Sequence, residues 1–536
     1  MELIDYLAYL LVATQVVMFI VGLGFVVSGL DDLFIDIVFV VRKLYRRSFL
    51  IDRFPKVGEQ HLNEAVEKPI AVMIPAWDES AVIGSMLRNT LRTMRYTNYT
   101  IFVGVYPNDQ ATGREVDRVC AESPHVRKIV TPHPGPTNKA DCLNQIFRGI
   151  VDVEKQTGVR HEIFVMQDCE DVIHPFCYKL FNYLIPRKDM VQLPVEALHA
   201  GWHKLTSGQY LDEFAQSHYK DMVVREALGG GLPAAGVGAA FSRRAIEALA
   251  SSRQAEPFST ESLTEDYEFG FRMHELRLKQ VFVRFSLPRT VIRNGRAVTR
   301  NEVVSVREYF PDKPVQAIRQ KSRWVLGIAL QGWASIGWRG GLATRYMLFR
   351  DRKAIITNLL NMAGYLIVMI TMIVLALEWL APDDLQFPTV IEPGSALWYL
   401  LLLNLALFAE RIVMRAYCVL QVHGPMQALL SLPRMVWGNV INFLATCRAL
   451  WLYGRHLFYG HRLHWDKTQH RYPDAQSLTG FSRRIGDVLL DQKLITAAQL
   501  AQALDRQQTE KKPLGELLSD MGYVSRQQIS DALTAN

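Results

Sequence analysis

Three long apolar runs bracket a central stretch of alternating strand-like and helix-like sequence, and this arrangement restricts the chain more than any other feature. About 20 apolar residues cross a bilayer as a helix, and Tyr6 to Leu30, Ile355 to Leu380 and Ala396 to Val422 each reach that length. Before the first run stand Glu2 and Asp5, and after it come Arg42, Lys43, Arg46 and Arg47. A secretory leader carries its basic residues first and ends in a small-residue cleavage site. The run therefore reads as an uncleaved anchor with its N-terminus outside. Leu30 to Leu44 mixes Asp31, Asp32 and Asp36 with apolar residues at helical spacing, which predicts a helix lying in the membrane interface with Asp36 as a surface acid.

The second run is entered from the basic segment Arg345 to Lys353 and leaves into a loop holding Asp383, Asp384 and Glu392, so the central region is expected inside. In the third run Glu410, Arg411 and Arg415 are costly at mid-bilayer and should pair or face protein. A fourth apolar stretch, Met426 to Leu452, is interrupted by Pro433, Arg434 and Arg448 and precedes the basic run Arg455 to Arg471. Crossing would carry that basic run outside, so the stretch reads as interfacial. Such flanks account for a net charge of +7, and no basic tail of the kind that binds nucleic acid is present. The six cysteines form no CxxC pair and read as reduced.

At 536 residues the chain needs more than one unit. The expected division is an anchor and interfacial helix over 1–50, a cytoplasmic α/β domain over 51–345, membrane helices over 346–471 (355–380 and 396–422 spanning, 426–452 interfacial), and a linker with a small all-α domain over 472–536.

From Lys68, PIAVMIPA reads as a buried strand, DESAVIGSMLRNTLRTM as an amphipathic helix and YTIFVGVYP as a second strand, an alternation that predicts a mainly parallel sheet. Ligands in such sheets sit at the carboxyl ends of strands, where Pro75, Ala76, Asp78, Glu79, Asn108 and Asp109 fall. A third strand, HEIFVMQ, ends in Asp168-Cys169-Glu170-Asp171. In extended backbone residues i and i+2 share a side, so Asp168 and Glu170 would offer oxygens together to Mg²⁺ or Mn²⁺; an ordinary acidic surface turn is the plainer alternative.

Gly236 and Gly238 allow close approach by an acceptor, and Thr264-Glu265-Asp266 opens a helix where Asp266 is placed to act as a general base or to cap the helix. Gln320, Arg323 and Trp324 fall on one side of a helix. They suit a sugar diphosphate and its acceptor, or else a Trp anchored at the membrane interface.

Taken in order, PAWDE, a later acid, an Asp-x-Glu, TED and QxxRW resemble the membrane-bound family 2 glycosyltransferases, relatives of cellulose synthase, over about residues 68–340. The resemblance implies a GT-A (Rossmann-like) fold and an inverting transfer from a nucleotide sugar to a glycan acceptor. It implies nucleotide contacts from Asp78, Glu79 and Asp109, a metal on Asp168 and Glu170, and Asp266 as base with Glu265 beside it. Lys139 and Asn144 would lie beside the donor, Gln320 and Arg323 on pyrophosphate, and Trp324 at the acceptor terminus. The chain departs from that family at Asp78, where Asn is usual, and at Glu170, where many relatives have Asp. Three crossings also suggest that export needs a homo-oligomer or an outer-envelope partner.

Past Trp465-Asp466-Lys467-Thr468-Gln469-His470, similar to a WxKTxH segment of related transferases, a polar linker leads to two matching units at 484–507 and 513–536. Each reads as helix, turn at Lys493 or Gly522, N-cap at Thr496 or Ser525, and second helix. A small dimerisation domain is one reading. The tandem pattern also resembles the cyclic-di-GMP-binding MshEN-type domain of secretion ATPases. That resemblance implies ligand contacts at Arg484, Ile485, Gly486, Leu489, Gln507, Pro513, Leu514, Gly515 and Leu518, with cyclic-di-GMP as allosteric activator.

The expectation is a multi-pass bacterial inner-membrane enzyme, lipid-embedded, with its catalytic and C-terminal domains in the cytoplasm. It would extend an envelope or secreted polysaccharide, with a UDP-N-acetylhexosamine as the expected donor. A non-catalytic receptor or scaffold, or a transferase loading a lipid phosphate, are the rival readings. The complete acid set speaks against the first and QxxRW against the second.

Overall fold

An unbroken apolar run over Ile70–Pro75 forms β1, an interior strand of the main sheet in the computed structural model, which describes residues 3–51, 53–54, 56–252, 256–293, 296–380, 391–461, 463, 467, 470–474, 478, 485–510 and 512–534. Ile70, Val72 and Ile74 face one apolar core while Ala71 and Met73 face another, the period of two that a strand buried on both faces must show. β1 pairs in parallel with β2 (Tyr99–Val105) and β4 (Ile163–Met166), and β2 with β3 (Val126–Val130). Parallel neighbours require crossovers, and helices Ile83–Thr93, Gln110–Glu122 and Lys139–Thr157 supply them.

Beyond β4 the seven-stranded sheet turns mixed, in the order β3–β2–β1–β4–β8–β6–β9, with β6 at Met190–Gln192, β8 at Ala239–Ser242 and β9 at Gln280–Phe282. β8 runs antiparallel to both β4 and β6. A small sheet joins β5 (Val172–Ile173), β12 (Val306–Glu308) and β7 (Val195–Ala197), and a separate hairpin joins β10 (Ser286–Arg293) to β11 (Arg296–Val303). Through the small sheet, the turn after β4 is brought beside Glu308.

Among the described residues three helices are long and apolar enough to cross a membrane, in the N-terminal, Leu342–Leu380 and Ala396–His423 segments. The expected change of helix at Leu30 does not occur. One helix runs from Leu3 to Tyr45, 43 residues, roughly 65 Å at 1.5 Å per residue against a hydrocarbon core of about 30 Å. Its acids are not at a surface either: Asp36 is 3% exposed and pairs with Lys220 of the central α/β region. Asp31 pairs with Arg350 and Lys353, and Asp32 stands 3.0 Å from Lys353 and 4.0 Å from Arg411. Partnered in this way, the acids need no water and the helix has no reason to turn into the interface. Arg415 likewise donates to Gln216 at 2.9 Å.

Helix Pro425–Tyr459 continues through Pro433, against the expected interruption. Residues flanking the proline are anchored from outside the helix, Arg434 to Asp212 at 2.7 Å and the Trp437 indole N–H to Thr206 at 3.1 Å. Further along, Asn442 donates to Glu213 and accepts from Lys321, and Arg448 donates to Ser322. Its polar residues thus meet helices Leu205–Gln216 and Pro314–Trp324.

The C-terminal repeat folds as two equivalent helix pairs, Ile485–Asp491 with Ala497–Thr509 and Leu514–Asp520 with Arg526–Thr534. Lys493 and Gly522 take left-handed φ values of 56° and 72° at the two turns. Thr496 and Ser525 each close a capping box, with Gln499 and Gln528. Leu489 and Leu518 occupy matching places in one small core.

Removing one member of a buried ion pair strands the other. Lys220→Met should therefore destabilise the protein by ~3–5 kcal/mol, while Lys220→Met combined with Asp36→Leu should recover most of the loss. Denaturant unfolding in detergent checks both.

Candidate active site

The turn after β1 is held by backbone-directed side chains. Ala76 N–H donates to Gly104 O at 2.8 Å, and Asp78, at a left-handed φ of 54°, donates its N–H to Asp109 Oδ2 at 2.5 Å. Asp109 also caps helix Gln110–Glu122 by accepting from Thr112 N–H at 3.2 Å, and the Thr112 hydroxyl accepts from Glu79 N–H at 2.9 Å. Asp109 thus shapes the Asp78 turn, with both carboxylate oxygens accepting backbone N–H groups. Trp77 packs edge-on against Tyr106, ring centroids 5.2 Å apart.

Asp168 and Glu170 do not lie on extended backbone as the i, i+2 argument assumed. β4 stops at Met166 and Asp168–Asp171 form a turn, with Asp168 N–H donating to Asp171 Oδ2 at 2.9 Å. Both side chains nevertheless line one cleft. Lys139, at the start of helix Lys139–Thr157, places its ammonium 2.6 Å from Asp168 Oδ1. Burial opposes the lysine's charge, but Asp168, Glu265 and Asp266 around it outweigh burial and hold its pKa above the ordinary value.

His470, from the segment after the last long helix, bridges Glu79 Oε1 at 2.8 Å and Glu170 Oε1 at 3.2 Å. Burial pushes the Glu170 carboxyl up to about 7, with Asp168 and Glu79 adding to the rise against the pull of His470. The remaining Glu170 oxygen, Oε2, is buried without a hydrogen-bond partner. An orphaned carboxylate oxygen among further acids fits a divalent cation. Among the described residues no group of three or more His, Cys, Asp or Glu side chains has the geometry of a complete protein ligand set. Asp168 and Glu170 would therefore need oxygens from a diphosphate or water to complete the shell, as Mg²⁺ sites commonly do.

Across the cleft, Thr264 rather than Asp266 occupies the cap position of helix Glu265–Glu275. Asp266 lies in the first turn, where its Oδ1 accepts from Tyr267 N–H at 2.7 Å. Gly236, at φ 78°, lies so near that a Cβ there would stand 2.6 Å from Asp266 Oδ2 and 3.3 Å from Lys139 Nζ. A side chain at 236 would close the approach to the acid. Burial and the adjoining Asp266 push Glu265 up to about 7; burial also raises Asp266, against the lowering pull of Lys139.

Gln320, Arg323 and Trp324 line the same cavity of about 330 Å³ as Pro75, Ala76, Glu79, Lys139, Asp168, Glu170, Glu265 and Asp266. Tyr210 donates to Gln320 Oε1 at 2.9 Å and meets the Trp324 ring edge-on at 6.0 Å. Trp324 is thus held by aromatic neighbours as well as by its own helix.

Some expected site residues fall elsewhere. Asn144 does not line the cavity: it is 1% exposed, donates to Phe258 O at 3.0 Å and accepts from Phe258 N–H at 3.0 Å. Gly238 sits against Val306 and Gln192 at the foot of β8. Asp78, Asp109, Gly236 and Gly238 are outside the cavity lining.

In the C-terminal module Leu489 and Leu518 are core residues, and Gly486 and Gly515 face Leu500 and Ile529. The Gln507 amide donates to Lys512 O at 3.1 Å, Ile485 and Leu514 pack against the core, and Pro513 precedes the third helix. Arg484 lies outside the described residues. Conversely, Trp77, Glu308 and His470 line the cavity and Lys467 reaches the Asp78 turn, without having been singled out by their place in the sequence. The WxKTxH likeness was the one signal for Lys467 and His470.

Residues 68–327 match the family described as "Glycosyltransferase like family 2". Over its length the chain is 41% identical, across 541 residues, to the Bacteriophage adsorption protein B of Escherichia coli K12, covering 99% of this chain and 72% of the relative. The Bacteriophage N4 adsorption protein B of Escherichia coli O157:H7 matches to the same extent. A mannosyltransferase from Pyrobaculum calidifontis, solved with GDP-Man and Mn²⁺, has a TM-score of 0.47 at 13% identity, over 81% of this chain and 99% of that one. The chain belongs to the family of bacteriophage N4 adsorption protein B and carries a family 2 glycosyltransferase domain over residues 68–327.

Asn144→Ala should leave the Phe258 N–H and C=O unpaired and lower stability by about 1–3 kcal/mol with the donor KM unchanged. Unfolding and steady-state kinetics on one preparation check it.

Proposed function

We propose that the protein is an inverting glycosyltransferase of a bacterial inner membrane, extending an envelope or secreted polysaccharide from a nucleotide sugar, with UDP-N-acetylhexosamine as donor. The observation that carries this is the meeting of two acid pairs, Asp168 with Glu170 and Glu265 with Asp266, in one cleft with Lys139, Arg323 and Trp324. Basic Arg345 to Lys353 and Arg455 to Arg471 favour a cytoplasmic catalytic region and C-terminus. The relatives' names speak of bacteriophage adsorption, and a glycan used as a phage receptor fits such an enzyme.

In this reading Asp78 and Glu79 hold the nucleotide and Gly236 leaves room for the acceptor hydroxyl beside Asp266. Asp266 takes that hydroxyl's proton, the freed oxygen attacks the anomeric carbon, and the bond to the nucleoside diphosphate breaks on the opposite face. Lys139 holds the Asp168 carboxylate in place at 2.6 Å, and Arg323 faces the charge that gathers on the leaving diphosphate. A Mg²⁺ or Mn²⁺ held by Asp168 and Glu170 would add positive charge on the same side. Trp324 offers a stacking face to the acceptor sugar.

The C-terminal module is read as a cyclic-di-GMP switch, supported by the two equivalent helix pairs carrying Ile485, Gly486 and Leu489 against Leu514, Gly515 and Leu518. Export would then fall to a homo-oligomer or an outer-envelope partner.

Purified in detergent with UDP-N-acetylhexosamines and Mn²⁺, the protein should release UDP, faster with cyclic-di-GMP. Asp266→Asn should lose about 10²–10⁴-fold in kcat; equal release from that variant would sink the assignment of the base. The base must be ionised, so activity is present above its pKa and is lost as pH falls through it. Burial raises that pKa, so the acid limb of kcat/KM should lie above the ordinary Asp range. A pH profile at saturating metal checks the limb.

A further inference from the structure

The segment that returns from the last long helix does more than lead to the C-terminal module. Lys467 donates to the backbone carbonyl of Trp77 at 2.5 Å and to that of Asp78, and stands 3.4 Å from both Asp78 Oδ2 and Glu79 Oε1. Its side chain is 20% exposed, whereas that of Asp78 is 77% exposed. Three residues on, His470 meets Glu79, and Tyr472 packs against the core formed on β1's outer residues. Lys467 and residues 470–472, which form a strap, therefore lie beside the turn that follows β1, although they stand outside the matched region 68–327.

That turn has an unusual backbone. Asp78 takes a left-handed φ, which few residues other than glycine and asparagine adopt without a local partner. The turn is held on one side by Asp109 and Thr112, which take up the N–H groups of Asp78 and Glu79. On its other side the carbonyls of Trp77 and Asp78 converge on Lys467, where a charged donor makes a strong bond.

We propose that Lys467 is a positioning residue of the donor site. Its ammonium fastens the Trp77–Asp78 carbonyls so that the Asp78 and Glu79 carboxylates face the nucleotide in a fixed arrangement, and the strap after the membrane helices completes a pocket begun 390 residues earlier. This rests on the reading of Asp78 and Glu79 as nucleotide contacts.

The test uses the full-length protein in detergent, with UDP and GDP binding in Mn²⁺ followed by calorimetry and donor kinetics measured on the same samples. Lys467→Met should weaken UDP binding and raise the donor KM by about tenfold while kcat changes by less than about twofold. Lys467→Arg, which keeps charged donors, should recover most of the affinity. Hydrogen exchange on the wild type should show UDP slowing exchange at 76–79 and at 470–474 together, a measurement that stands even if a variant folds poorly. Unchanged UDP affinity in Lys467→Met, a loss confined to kcat, or UDP protection at 76–79 without the strap would overturn the inference alone. Failure of the wild type to bind either nucleotide would overturn the donor reading and this inference with it.

Discussion

The ammonium of Lys139 is the point on which the cleft is built. Three carboxylates, Asp168, Glu265 and Asp266, surround it, and without a cation there they would repel one another in a place where burial already disfavours their charge. Lys139 opens a crossover helix, Asp168 follows β4, and Glu265 and Asp266 open a helix packed beyond β8. The sheet order decides that these three starts and ends meet at one edge, because β1 and β4 run parallel and end together.

Much of that edge was legible in the sequence. Strands buried on both faces announce themselves by unbroken apolar runs, and β1, β2 and β4 fall where PIAVMIP, YTIFVGV and IFVM lie. Of the residues at their ends, Pro75, Ala76, Glu79, Asp168 and Glu170 line one cleft. What the sequence obscured was conformation within the motifs. Asp168 and Glu170 were paired by a strand rule, yet they reach the cleft from a turn closed by Asp171. Asn144 shares its segment with Lys139, but it faces the other side of their helix and is taken up by Phe258.

A second kind of feature was hidden because its partners are far apart in the chain. The acids of the N-terminal helix read as a surface stripe until Lys220, Arg350 and Lys353 are seen beside them. Local periodicity contains no information about a partner nearly two hundred residues away. The polar interruptions of the fourth apolar stretch have the same explanation, since Arg434 is paired with the distant Asp212.

Those long-range contacts also bear on how a signal from the C-terminal module would reach the cleft. A ligand shifts an equilibrium only by its differential affinity for the two arrangements, and a hundredfold preference is worth about 2.7 kcal/mol. Separating the N-terminal helix from the catalytic region would part the buried Asp36–Lys220 pair and, with it, the Asp31 and Asp32 network. The strap is held to the turn after β1 by charge-assisted contacts from Lys467 and His470, each of a size near 1.5–3 kcal/mol. It is also the covalent path from the membrane helices to the module, whose helix Ala497–Thr509 rests against β11. Of the contacts between this path and the cleft, those of Lys467 and His470 lie nearest the module along the chain.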